Sequence, residues 1–170
     1  NIMVISMIRK DALGKRDLYV SIKKQDGTWS KPKHMGNVLN SRGEEGYVFL
    51  ALDGKTLYFS SNGHKGLGGM DLFMSKRLDE SWENWSAPQN LGEGINDKSD
   101  NQFISLAAAG EMAFIAAQNG DAKGDIYSVE LPEELRPEPV VLVHGRLVKL
   151  GDDFSQVLDG PEEVINLNFP

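Results

Sequence analysis

Thr56–Lys76, TLYFSSNGHKGLGGMDLFMSK, decides the fold, because its pattern can be laid over the chain twice more. Upstream, IMVISMIRKDALGKRDLYVSIK (Ile2–Lys23) matches it without a gap, Ser6 falling on Ser60, Leu13 on Leu67 and Asp17 on Asp71. Downstream, EMAFIAAQNGDAKGDIYSVE (Glu111–Glu130) places Asp125-Ile126-Tyr127 where the others have Asp71-Leu72-Phe73 and Asp17-Leu18-Tyr19. The three aspartates are 54 residues apart. A second marker, WSKPKHMG at Trp29–Gly36 and WSAPQNLG at Trp85–Gly92, recurs at a spacing of 56. The difference of two arises between Ser75 and Trp85, two residues longer than Ser21 to Trp29, and is reversed between Ala117 and Asp125. Insertions therefore fall in loops while strand-like pieces keep their length, as in a structural repeat.

Composition narrows the function classes. At 170 residues and 18.8 kDa with 40% hydrophobic content, the chain has enough apolar material for a folded domain, or for one domain and a piece of another. Its 25 acidic residues against 18 basic ones give a net charge of −7 and a pI near 5.0, which argues against nucleic acid or an anionic membrane surface as the main partner. The absence of cysteine excludes disulfides and thiolate metal sites without choosing a compartment. No apolar run approaches the roughly 20 residues of a helical membrane span. The sequence opens at Asn1, within an expected strand, so its start is expected to be processed or missing and targeting is left open.

The expected fold is all-β: a partial β-propeller of four-stranded blades on a repeat of about 54 residues, followed by the start of a β-sandwich. Residues 1–130 are assigned to the blades. The first is incomplete, with strands at Ile2–Met7 and Asp17–Lys23 and an edge segment at Trp29–Met35, where Pro32 permits only an irregular edge. The second spans 44–91, with strands at Tyr47–Leu52, Thr56–Ser61, Asp71–Lys76 and Trp82–Leu91, and Asp53-Gly54-Lys55 as a tight hairpin turn. The third spans 100–130, with strands at Gln102–Leu106, Met112–Ala117 and Asp125–Glu130, and no WSxP segment after them. The missing outer strand implies ring closure at this point, and the missing first strand at the other end implies a cut ring. LPEELRPEP, at 131–139, reads as a linker, and 140–170 as a sandwich opening with strands at Val140–Leu150 and Val164–Phe169.

Three stretches, LDGKTLYFSSNGHKGLGGMDLF, SWENWSAPQNLGEGIND and GDIYSVELPEELRPEPVVLVHGRLV, resemble the WD-like repeats of TolB-type propellers, and more closely those of Bacteroidetes OmpA-family envelope proteins. The resemblance covers roughly Leu50–Val148, departing where Ala107-Ala108-Ala109-Gly110 replaces the Asp-Gly turn and again after Val148. It implies a non-enzymatic scaffold, periplasmic and outer-membrane-associated, whose partners are envelope or secretion-system proteins. It also implies a carboxypeptidase-regulatory-like sandwich after the propeller, then an OmpA-like domain that binds peptidoglycan. That last domain is not among these residues, so glycan binding is assigned to none of them.

Chain direction puts the loops Leu39–Gly46, Asn62–Met70, Ile95–Asn101 and Gln118–Gly124 on one rim. Asn40, Glu44, Glu45, His64, Asn96, Asp100 and Asn101 are therefore the candidate partner-binding residues, an acidic and amide-rich set suited to a peptide, a sugar or a cation, or else to ordinary turn work. Asp17, Asp71 and Asp125 read as carboxylates that tie down loop N–H groups. Trp29 and Trp85 read as packing between blades, and Tyr58, Phe59, Leu72 and Phe73 as core. No cofactor or metal is expected: His34, His64 and His144 lack ligand spacing, and Asn119–Asp125 only faintly resembles a calcium loop. Without a G-x-S-x-G elbow, HExxH or cysteine nucleophile, catalysis reduces to two carboxylates meeting in a channel, Glu45 and Asp100 for example. A propeller glycoside hydrolase and a ligand-sensing propeller are the alternatives.

Overall fold

The computed structural model describes residues 1–118 and 124–140, and the chain divides into two units, Asn1–Glu138 and Pro139–Pro170. Beyond Val140, the expected sandwich lies outside the described residues, as does most of the calcium-loop-like stretch. The described part is all-β, with three antiparallel sheets. The first contains β1 (Ile2–Met7), β2 (Asp17–Ile22) and β3 (Lys33–His34) in that order. The second runs β4 (Glu45–Leu50), β5 (Thr56–Ser61), β6 (Asp71–Lys76) and β7 (Gln89–Asn90). The third runs β8 (Asn101–Leu106), β9 (Met112–Gln118) and β10 (Gly124–Glu130). None of the three closes on itself.

Their registers coincide. Asp17 stands opposite Met7, Asp71 opposite Ser61 and Asp125 opposite Ala117, so each recurring aspartate pairs with the last residues of the preceding strand. The outer segments shrink to the two-residue strands β3 and β7, with single bridges from Lys23 to Trp29 and from Arg77 to Trp85, as expected around Pro32 and Pro88, which have no N–H to donate. The serines of the WS markers fasten these segments. Ser30 Oγ accepts from the Ile22 N–H while its carbonyl accepts from Ser21 Oγ, and Ser86 does the same with Lys76 and Ser75. Both markers end on glycines with positive φ, Gly36 (+86°) and Gly92 (+81°); at Gly36 a Cβ would also stand 2.4 Å from the Glu83 carbonyl oxygen.

The Asp-Gly turn between β4 and β5 is wider than the expected hairpin. Ala51 N–H bonds to the Thr56 carbonyl, leaving four residues, Leu52–Lys55, in the loop. Asp53 is the cause: its carboxylate accepts from the Lys55 and Thr56 N–H groups and from Thr56 Oγ1, an Asx arrangement that a two-residue turn has no room for. Burial alone would raise the Asp53 carboxyl, but these hydrogen bonds, with one from the Glu138 N–H, outweigh it and hold the group below its usual range.

Strand alternation then builds two cores. Leu57, Phe59 and Phe73 point from the second sheet toward the first, meeting Leu18, Val20, Met35 and Leu39. Tyr58, Leu72 and Met74 point the other way, meeting Ile104, Ala113 and Ile115. The middle sheet is thus buried on both faces, which explains why all six residues of β5 are buried, although Thr56, Ser60 and Ser61 are polar. Each fully buried large side chain contributes about 1.5–3 kcal/mol. The two extra residues before Trp85 also have a use. They accompany Trp82, which joins Trp85 in the first core, lies under the Arg77 guanidinium and accepts the Trp85 Nε1–H on its carbonyl.

Residues 131–139 were expected to be a linker, yet through Glu138 they belong to the first unit. Leu131 and Leu135, the latter ending a short 3-10 turn at Glu133–Leu135, are buried in the second core. The Tyr58 hydroxyl donates to the Leu135 carbonyl at 2.6 Å. Burial, reinforced by the nearby Asp53 charge, pushes that phenol far above its usual range, so it remains a donor. The apolar pair at i and i+4 in a proline-rich run is what turns the segment into a strap.

Candidate functional site

The expected rim resolves into pairs of equivalent residues, most of them turned inward. Asn40 clips the backbone of Leu18, its Oδ1 accepting from the Leu18 N–H and its Nδ2 donating to the Leu18 carbonyl. Asn96 does the same to Leu72. Both are buried; their amide oxygens take the Leu18 and Leu72 N–H groups, while the two carbonyls also accept from the Met35 and Leu91 N–H groups of the outer segments. The expectation that they face a ligand is corrected here.

Glu45 needs the same correction. It is 0% exposed, and its carboxylate accepts from the Ser41 N–H, Ser41 Oγ and Ser61 Oγ. Asn101, its equivalent one repeat on, is also buried and accepts the Asp97 N–H. A loop lacking sheet partners is closed in each case by a side-chain oxygen from the first residue of the next sheet. His64 donates from Nε2 to the Leu39 carbonyl, and its ring packs on Phe59 and Phe73. Glu44 is half-buried, and Asp100 is exposed while holding the Met70 N–H. Of the seven candidates, Glu44, His64 and Asp100 alone keep part of their surface in solvent.

The aspartates behave as expected where they can be followed. Asp17 accepts from the Leu13 and Gly14 N–H groups, and Asp71 from the equivalent Leu67 and Gly68. In the first sheet His34 completes the arrangement. Its Nδ1 accepts the Gly36 N–H, which leaves the proton on Nε2, 2.9 Å from Asp17 Oδ2. In the second sheet Asn90 takes the place of His34, and its Oδ1 accepts from the Gly92 N–H and from Asn96 Nδ2, but among the described residues Asp71 Oδ1 and Asn90 Nδ2 are buried without a partner. Asn90→His should transplant the first sheet's pair with Asp71 at the cost of the acceptor for Asn96 Nδ2, a net gain of under about 1 kcal/mol. Thermal unfolding checks this: an upward shift of the midpoint is expected, and a fall would show that the two positions are not interchangeable.

Sequence reasoning missed an aromatic pair on the opening strands. Tyr47 and Phe103 occupy equivalent positions, 56 residues apart; Tyr47 is the bulged residue of β4, and Phe103 directly follows the bulge at Gln102 in β8. Their ring centroids are 3.8 Å apart, and both are exposed (41% and 47%). Tyr47 has a φ of +24°, costly for a residue with a Cβ. The available signal was the repeat offset itself, which places two aromatics where β-strands of adjoining sheets begin.

Trp85 is buried between the first two sheets, as expected of a packing residue, whereas Trp29 is 40% exposed. Among the described residues no three His, Asp or Glu side chains converge as a metal site, and no helix is long and apolar enough to cross a membrane. Comparisons with protein-family models, with curated proteins and with solved structures find no match for this chain.

Proposed function

We propose that the three sheets are consecutive blades of a TolB-like β-propeller and that the chain works as a non-enzymatic protein-interaction scaffold of the bacterial cell envelope, within an OmpA-family, peptidoglycan-associated protein. The observation that carries the interaction reading is the exposed Tyr47–Phe103 pair on the opening strands of adjoining sheets. Stiff aromatic side chains give much contact area for little lost conformational freedom, which suits a protein partner. The blade reading is supported by the shared register and by the middle sheet packing on both neighbours. The periplasmic, outer-membrane-associated placement rests on the sequence resemblance.

The glycosidase alternative loses support because Glu45, one of its two carboxylates, is engaged by three donors and shielded from solvent. A photo-crosslinking residue placed at position 47 or 103, exposed to native envelope extract, separates the readings. Adducts with an envelope protein from both positions, and none from exposed Leu78 on the outer loop, are expected. Equal labelling at all three positions, or glycan turnover abolished by Asp100→Asn, would overturn the scaffold reading.

A further inference from the structure

The seam between the first and second sheets carries a basic surface. Three loops are drawn together there, at residues 8–16, 39–44 and 62–70. The Lys15 N–H donates to the Gly43 carbonyl at 3.0 Å, the Asn62 N–H donates to the Glu44 carbonyl while its Oδ1 accepts the Glu44 N–H, and His64 donates to the Leu39 carbonyl. The backbones touch: a Cβ on Gly14 would overlap the Gly43 carbonyl oxygen, and one on Gly43 would stand 2.6 Å from the Gly63 nitrogen. Arg42 is thereby held between two neighbours, with Lys15 next to Gly14 on one side and Lys65 two residues from Gly63 on the other.

The Lys15, Arg42 and Lys65 side chains are exposed, and among the described residues none has an acidic partner, although Arg9, Lys33, Lys55, Arg77 and Arg136 each have one. The three loops carry six Lys and Arg against two Asp and Glu, a net +4 on a chain of −7, so the remainder carries −11. Of the two acids, Asp11 is engaged by Arg9, and Glu44 is in no ion pair among the described residues. The equivalent seam between the second and third sheets is built alike, Gly68 packing on the backbone at 97–99 as Gly14 does at 41–43, yet its cation, Lys98, lies between Asp97 and Asp100 in the chain. The same construction with a different charge shows that the fold does not require a basic seam.

We propose that the seam bearing Lys15, Arg42 and Lys65 docks a short acidic peptide segment of a protein partner. Exposed cations on three loops suit an extended run of carboxylates better than one small anion, which needs donors converging on a single point. A nucleic acid or an anionic membrane would reach past the seam into the negative remainder, whereas a short segment stays within the +4. The proposal rests on neither the envelope placement nor the Tyr47–Phe103 pair.

Fluorescence anisotropy of a labelled oligoglutamate peptide against the 170-residue chain tests it. Saturable binding is expected, and added salt should weaken it. Arg42→Glu, Lys15→Glu and Lys65→Glu should each weaken binding about fivefold or more. Lys98→Glu makes the same change in net charge on the other seam and should leave binding within about twofold. Circular dichroism matching the wild type confirms that each variant folds, and Arg42→Gln repeats the test where Arg42→Glu does not. No saturable binding at low salt, or an equal loss from Lys98→Glu and Arg42→Glu, would overturn the proposal. So would tighter binding to phosphatidylglycerol vesicles or to single-stranded DNA than to the peptide.

Discussion

Glu45→Ala should lower the free energy of unfolding by about 3 kcal/mol, because it strands several donors in a closed site. Ser61 Oγ and the Ser41 N–H and Oγ all give their hydrogens to this carboxylate, which is fully buried. Part of the loss is returned, since a carboxylate is no longer held out of water and the half-buried Ser41 can turn to solvent, but the Ser61 hydroxyl left behind is buried and fixed by β5. Glu45→Gln should cost less than half as much. Asn101 shows that an amide serves the equivalent position, and the serine hydroxyls can rotate to accept from the new N–H. Chemical denaturation of the three proteins decides it. Equal stability for wild type and Glu45→Ala would mean that the carboxylate is retained for something other than the fold, and would revive its candidacy as a catalytic group.

Tyr58→Ala should cost about 4 kcal/mol, within the range for removing a large buried ring. Tyr58 packs between the second and third sheets while its hydroxyl holds Leu135, so its removal opens a cavity and releases the strap. Tyr58→Phe separates the two effects. It keeps the ring and orphans one carbonyl, for a loss of about 1 kcal/mol. Amide exchange should quicken around Glu133–Leu135 in the Phe variant and across the third sheet as well in the Ala variant. If exchange in the strap is unchanged in Tyr58→Phe, the hydroxyl is not what holds it.

The strands were legible because the repeat can be read three times. The paired strand copies keep lengths of six or seven residues, and the insertions between copies fall in loops. The WS markers were legible as signals, though their chemistry was not: Ser30 and Ser86 act on backbone groups of the neighbouring strand, and periodicity carries no trace of that. The rim was misread because amide and acidic residues in loops look alike whether they face water or the backbone. The repeat itself held the correction. Moving Asn96, Asp100 and Asn101 back by 56 lands on Asn40, Glu44 and Glu45, so six of the seven candidates are three positions seen twice. A residue that recurs at the same place in every sheet is better explained by a need that every sheet has. The strap at 131–138 was hidden for a related reason: prolines and glutamates dominate its composition, while two leucines decide its packing.

The burial of the middle sheet on both faces also sets the order in which the unit comes apart. Among the described residues each outer sheet packs on one neighbour and the middle sheet on two, so within this part structure should be shed from the outer sheets first, with β5 and β6 the last to open. A lesion in the middle sheet therefore should loosen both cores together, whereas one in an outer sheet should loosen the core it shares with the middle sheet alone.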